Sequence, residues 1–466
     1  MCKKTTTLLW SFVVLLSGYF SPATLTAQPL TVHAPIAWGS VAFTPQGQLL
    51  FPVAVIEQLS EEEIRQEREK RKAWLNRPID EQVDELVSPH PGESEKIYEF
   101  RRWIAKRYIE WAKTNPEAVL KGSFKRVRAI EIKQLDPETG RTISRYKLWQ
   151  GNIPVSNQIS YLGGLGSGKK QVIPRSNIKS GILPGKKWFA AWAWVDEPHS
   201  PPITILIDPN RASEAPVSIL PGYKPLSWLS DRQMLAIKYP DIDQKGHGGD
   251  KRLVLVKITL DQAGQPISTD IIVSRKKYFS AAIVPGKPNP VLVYLSWVLG
   301  VLNLQTGTIK PLRLHGKKMN MPACGQVTVW QGHIWIPEKP LGQRLLALDV
   351  QEGKFRIAKQ ISLPYQFREG PWCGALAAFK DGLILGRDLL IRRSLNKHAS
   401  SAHRSGKVAL YIYRPGGGLQ KLELPPVLQP GTTGIRPIAI SPDNRWLAAR
   451  TGVNTLTIFK RQEILP

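Results

Sequence analysis

The chain is poor in cysteine, in acidic side chains and in long apolar runs. Only three of its 466 residues are cysteine, Cys2, Cys324 and Cys373. A chain this long cannot rest on a disulfide framework with so few, so its core must hold it. No HExxH motif and no tight Cys/His pairing is present, which removes the common zinc signatures. Asp and Glu number 37 against 64 Lys and Arg, leaving a formal charge of +27. The 37 glycines and 38 prolines follow no fixed period, which excludes a collagen-like fibre and disfavours a long helical bundle. After the N-terminal region no run is long and apolar enough to span a bilayer.

What is present begins with a leader. Lys3 and Lys4 precede a short apolar run at 8–16, followed by Gly18 and Pro22. That order is the pattern of a secretory signal peptide over 1–27, with cleavage after Ala27. No cysteine follows the run where lipid attachment needs one. The expected mature chain, 28–466, is therefore soluble and exported, either periplasmic or secreted.

One local pattern then recurs. β-rich runs at 127–132, 203–207, 253–258, 298–302, 345–348, 408–413 and 455–459 each lead into a polar turn, and most continue into a second β-rich run. The turns carry Asp136, Asp208, Asp261, Asn303 and Asp349, several with a glycine three or four residues on, as tight hairpins require. A strand, Ser/Thr-Pro turn, strand unit at 40–50 matches one at 438–448. The segments around Cys324 and Cys373 match as well, and lie 49 residues apart, a propeller-blade period. Two hairpins per unit give four-stranded blades. The expected fold is all-β, a seven-bladed β-propeller over 28–466, with residues 30–33 supplying the missing strand of the last blade.

Residues 441–447, Ser-Pro-Asp-Asn-Arg-Trp-Leu, resemble blades of the TolB-type and WD-repeat-like propellers. The turns at 136–140 and 349–353 resemble those of YVTN and quinoprotein propellers. The resemblance implies the fold and covers most of the mature chain, while a fold of this kind serves many unrelated functions. The blade tryptophan of quinoproteins is absent at a fixed position, which argues against that cofactor.

Residues 57–113 interrupt the pattern as an α-helical insertion, or lid, within the first blade. Ser60 and Glu63 form a capping-box signature. Ile97, Phe100, Ile104, Tyr108 and Trp111 recur at helical spacing, a stripe expected to dock the insertion. Other long insertions fall in connections that share its face, so that face is the candidate binding surface. Residues 61–113 hold 12 basic and 13 acidic side chains, so the remaining chain is even more basic than the whole. Candidate ligand-binding residues are Arg101 and Arg102 in the insertion, with Arg275, Lys276, Lys277, Lys317, Lys318, Arg392, Arg393, Lys397 and Arg404 elsewhere. They suit a protein or an anionic polymer or surface; outside the cytoplasm, nucleic acid is disfavoured.

Specific chemistry is thinly signalled. Residues 163–169 approach a phosphate-binding loop, but Lys170 stands where Ser or Thr should hold Mg²⁺. His315, Met319, Met321 and Cys324 offer donors suited to copper, and packing beneath the insertion accounts for them equally. No cofactor is predicted on this basis. Cys324 and Cys373 are candidates for a disulfide; free buried thiols or a shared metal are the alternatives. Trp188, Trp192 and Trp194 alternate as a blade-packing surface. The expected function is a non-enzymatic binding module; the competing class is a propeller enzyme, a lactonase-like hydrolase or a metal-dependent oxidoreductase with its site at the channel mouth.

Overall fold

Runs of β-branched and aromatic residues separated by Asp- and Gly-bearing turns fold as consecutive antiparallel hairpins. The computed structural model describes, short breaks aside, residues 29–87, 95–155, 178–239, 253–318, 328–363, 374–387, 410–422 and 436–464. Two short strands come first, β1 (Leu30–His33) and β2 (Ala37–Trp38). The first sheet holds β3 (Ala42–Phe43), β4 (Leu49–Gln58), β5 (Lys125–Leu135) and β6 (Thr142–Pro154). The second has β7 (Lys179–Leu183), β8 (Phe189–Trp194), β9 (Ile203–Ile207) and β10 (Ser218–Pro221). The third has β11 (Tyr223–Ser230), β12 (Gln233–Lys238), β13 (Leu253–Leu260) and β14 (Pro266–Arg275).

The fourth holds β15 (Phe279–Ile283), β16 (Val291–Leu295), β17 (Val298–Leu302) and β18 (Ile309–Pro311). A two-stranded hairpin, β19 (Arg313–Leu314) and β20 (Lys317–Lys318), follows it. Next come β21 (Thr328–Trp330), β22 (His333–Pro337), β23 (Arg344–Gln351) and β24 (Lys354–Ser362), then β25 (Gly374–Phe379), β26 (Gly382–Arg387), β27 (Leu410–Arg414) and β28 (Gly418–Leu422). The last sheet combines β29 (Arg436–Ile440), β30 (Trp446–Gly452) and β31 (Thr455–Lys460) with β1, Leu30 lying opposite Ile458.

The architecture is an all-β propeller of four-stranded antiparallel blades. First strands of neighbouring sheets adjoin, β3 with β29, β25 with β29, β21 with β25 and β11 with β15, so these are the inner strands. Seven uniform four-stranded blades were expected. Six sheets have four strands, whereas the sheet of β7 to β10 takes a fifth, because β2 runs parallel beside β7. Ser40 fastens this crossing: its hydroxyl donates to the Ile182 carbonyl at 2.9 Å and accepts from the Ile182 N–H at 3.0 Å.

The turns use the chemistry their sequences offered. Asp136, Asp261, Asn303 and Asp443 each accept from the backbone N–H two residues on, at 2.8–3.0 Å. Core side chains fill the spaces between sheets. Phe43, Ile130, Ile205 and Ile458 belong to one cluster joining the first, second and last sheets. Trp192 and Trp194 pack with Leu235, Ile237 and Leu255 of the third sheet, and Trp188 with Met234 and Val256.

The helical insertion lies between the neighbouring strands β4 and β5. It comprises α1 (Glu61–Asn76), α2 (Ile79–Leu86), α3 (Glu95–Thr114) and α4 (Pro116–Leu120); α5 (Arg461–Ile464) ends the described chain. The interruption therefore runs over 59–124 rather than 57–113, because β4 continues to Gln58 and β5 starts only at Lys125.

Candidate functional site

The insertion is anchored where β4 and β5 end. Glu57 sits opposite Arg126 in the ladder, and the Leu59 N–H donates to the Phe124 carbonyl at 2.8 Å. Arg126 donates through Nε to Glu57 at 3.0 Å and through a terminal nitrogen to Glu63, while Arg128 also donates to Glu57. The capping box forms: Glu63 accepts from the Ser60 N–H at 2.9 Å, and the Ser60 hydroxyl accepts from the Glu63 N–H at 3.3 Å. The bonds that the Glu63 carboxylate accepts from the Ser60 N–H, from the Ser60 hydroxyl at 2.9 Å and from Arg126, in that order, lower it to about 2. Glu57 is lowered too, chiefly by Arg128 and then Arg126. The guanidinium groups of Arg68 and Arg71 lie 5.1 and 4.6 Å from the Phe124 ring centre.

Beyond this base the helices pack on one another. Val83 and Val87 meet Ala105 and Ile109, with Trp74, Ile79, Tyr98 and Tyr108 around them. Lys113 Nζ donates to the carbonyls of Leu75 and Arg77, at 2.8 and 2.6 Å, completing the C-terminus of α1. The insertion thus has a core of its own.

The stripe expected to dock it is split: Tyr108 packs against this core and Trp111 is half-buried, whereas Phe100 and Ile104 face solvent. Ala105, Ile109 and Ala112 are buried, while Phe100 (41% exposed), Trp103 (52%) and Ile104 (41%) face solvent. The rings of Phe100 and Trp103 stack with centres 6.0 Å apart and planes 14° apart, and the Arg107 guanidinium lies 5.9 Å from the Trp103 ring centre. Ile109 and the small Ala105 and Ala112 make up the buried face of α3, and Phe100, Trp103 and Ile104 are left outside.

A concavity of about 420 Å³ lies between the turns of the first and last sheets. Asp136, Glu138, Arg141, Asp443, Arg445 and Trp446 line it. Its acids are occupied in holding turns and the seam. Glu138 accepts from Lys460 and from Arg445, each at 2.7 Å. Asp136 accepts from the Thr139 hydroxyl at 2.7 Å, which leads the lowering of its pKa. Burial alone raises the Asp443 carboxyl, but bonds from Ser441 and the Arg445 N–H and the Arg445 charge leave it below its usual value. All three stay ionised at neutral pH and offer no proton donor for general acid catalysis.

His333 Nδ1 and Asp349 Oδ1 lie 2.7 Å apart, half of a triad-like arrangement. Among the described residues no hydroxyl or thiol is hydrogen-bonded to that imidazole, and no group of three His, Cys, Asp or Glu is placed to hold a metal ion. None of the described helices is long and apolar enough to cross a membrane.

Of the residues proposed from sequence, Arg102 is tied to Asp84 at 2.5 Å and to the Tyr98 hydroxyl at 3.2 Å, so its charge serves the insertion itself. Arg101 shares α3 with it. Arg275 ends β14, and Lys317 and Lys318 form β20. Lys276, Lys277, Arg392, Arg393, Lys397, Arg404, His315, Met319, Met321, Cys324, Cys373 and the loop at 163–169 lie outside the described residues. Sequence reasoning passed over Trp103, although Phe100, Trp103, Ile104 and Arg107 follow the i, i+3, i+4, i+7 spacing of one helix face.

No family model and no curated protein matches the chain. Solved structures similar to it include a chain of the mitotic checkpoint complex, at 9% identity over 72% of this chain and 83% of that one, TM-score 0.38. A puromycin hydrolase is similar at 14% identity over 70% of this chain and 48% of its own, TM-score 0.35. Raptor of Chaetomium thermophilum is similar at 12% identity over 72% and 26%, TM-score 0.38.

Proposed function

We propose that this protein is an exported, seven-bladed β-propeller, with the five-stranded sheet as its seventh blade, that acts as a non-enzymatic binding module. It engages a protein or an anionic ligand through the face bearing the helical insertion. One observation carries the reading: a helical unit with its own core, clamped at the end of one hairpin, turns an aromatic surface to solvent. Building and ordering such a unit costs conformational entropy, and the ring's closure through β1 and β31 does not use it. Charge supports the same face. Lys179 opens β7, Arg275 closes β14, Arg344 opens β23 and Arg436 opens β29, all strand ends on the side from which the insertion projects. With a net charge of +27, such a rim draws acidic partners over long range.

The test compares the full chain with a variant in which 59–124 is replaced by a short turn. Both are used to recover partners from the exported fraction at low and high salt, with metal analysis alongside. The expected result is a folded variant that loses a salt-sensitive partner, and a mature N-terminus at Gln28. Stoichiometric metal or lactone hydrolysis without any macromolecular partner would overturn the proposal.

A further inference from the structure

We infer that α3 is a self-pairing helix: Phe100, Trp103 and Ile104 meet the same residues of a second copy of this chain across a two-fold axis, with the two helices antiparallel. This rests on the binding-module reading and names the protein that the aromatic surface takes, so the paired form carries two basic rims. Trp103 marks the centre of the contact. Among the tryptophans whose exposure is described, it alone is more exposed than buried.

Charge decides the occupant. At 3.6 residues per turn, Lys96, Glu99, Arg107 and Glu110 all stand within about 40° of Trp103 around the helix. Their signs run plus, minus, plus, minus, at matched distances to either side of it. Reversing the helix about Trp103 therefore exchanges every sign. In an antiparallel pair Glu99 comes level with Arg107 of the copy, and position 96, a lysine, comes level with its Glu110. The two-fold axis also keeps like flanks together. The Phe100 and Ile104 flank of one helix adjoins that of the other, and Glu99 shares the opposite flank with Lys106 of the copy. Arg107 already donates to Glu110 at 3.0 Å, but its side chain is 60% exposed and a guanidinium has five donors, so a second carboxylate fits beside the first.

Other occupants fit less well. A partner of one strong sign, whether an acidic groove or an anionic bilayer, gains little from a face whose own charges cancel. Net charge points the same way. The chain carries +27, yet residues 61–113 hold 12 basic and 13 acidic side chains, so copies that touch through the insertion join where their repulsion is least. The surface is also already arranged. Phe100 and Trp103 are stacked, and Ala105 and Ile109 hold α3 from behind, so little side-chain freedom remains to be lost. One pair of helices buries less than the roughly 800 Å² per partner of a standard interface, so the dimer is reversible, with a dissociation constant of about 10–100 µM.

The experiment is sedimentation equilibrium of the full chain from about 1 to 200 µM. A monomer passing into a dimer across that range is expected, with Trp103→Ala weakening the association roughly thirtyfold. Charge reversal gives the sharper reading. Glu99→Lys and Arg107→Glu should each weaken self-pairing about tenfold, because like charges then come level. An equimolar mixture of the two should regain most of the wild-type affinity, since opposite signs are level again. Recovery in the mixture shows that both variants fold, and unchanged melting shows the same for Trp103→Ala. A chain monomeric throughout, a dimer indifferent to Trp103→Ala, or no recovery in the mixture would each overturn the pairing. If the chain stays monomeric and a different, salt-sensitive protein partner is recovered, the binding module stands without self-pairing. If it dimerises through Trp103 but holds metal or hydrolyses a lactone and recovers no other partner, the pairing stands and the binding module falls.

Discussion

Glu138, in the turn between β5 and β6, accepts a hydrogen bond from Lys460 at the end of β31, at 2.7 Å. Arg445 reaches the other carboxylate oxygen at the same distance. One acid of the first sheet thereby grips two bases of the last. The Lys460 bond leads the lowering of the Glu138 carboxyl; burial opposes it, and the charges of Lys460 and Arg445 add to it. A lowered folded-state pKa gives a contribution that is complete above the ordinary value of 4.5 and is lost as pH falls through the depressed one. Glu138→Gln should lower the melting temperature near pH 7 by no more than about 2 °C, since the group is well solvated. The difference should vanish in acid and shrink in high salt, as calorimetry across pH and ionic strength will read.

At the base of the insertion, Ser60→Ala removes one of the bonds that lower Glu63. Its pKa should rise from about 2 toward 4.5, as followed by NMR titration of the side-chain carboxyl. Loss of the cap should cost α1 about 1 kcal/mol, seen as roughly fivefold faster amide exchange in its first turn.

Ile109 is fully buried between the helices of the insertion and belongs to no inter-sheet cluster. Ile109→Ala should destabilise that unit by roughly 2–5 kcal/mol. Helical signal at 222 nm should then melt before the sheets do, in a separate transition; a single shared transition would mean that the insertion and the blades unfold as one.

Gly307 turns the chain after β17 with φ +64°, and a Cβ there would lie 2.3 Å from the carbonyl oxygen of Ile272 on β14. Gly307→Ala combines left-handed strain with collision against backbone of the neighbouring sheet. A loss of roughly 2 kcal/mol or more is expected in denaturant melts, and Gly332→Ala, with φ +76° but no atom within 4 Å, should cost less.

Much of the fold was legible because hairpin turns are local. Asp136, Asp261, Asn303 and Asp443 bond backbone two residues away, so the sequence around each contains the whole cause of its turn. β2 was not legible: two residues pairing in parallel with β7 carry no alternation to read. The stripe on α3 was only half legible, for a different reason: Tyr108 packs inward as expected, while Phe100 and Ile104 face solvent. Periodicity was judged on large apolar side chains, and the inward face depends on Ala105 and Ala112, whose value lies in how little room they take. The clamp of Arg126 on Glu57 and Glu63 joins residues separated by the strand ladder and a helix cap, and nothing in the linear sequence pairs them.

The pairing of β1 with β31 also fixes how the molecule responds to a pull. Leu30 lies opposite Ile458, so the outer ends of the two terminal strands emerge from the sheet side by side. Tension applied through them acts across the ladder, breaking its bonds one after another as in a zipper rather than all together in shear. The ladder that joins the two ends of the chain therefore yields by peeling, and the grip of Glu138 on Lys460 sits at the end where peeling would start.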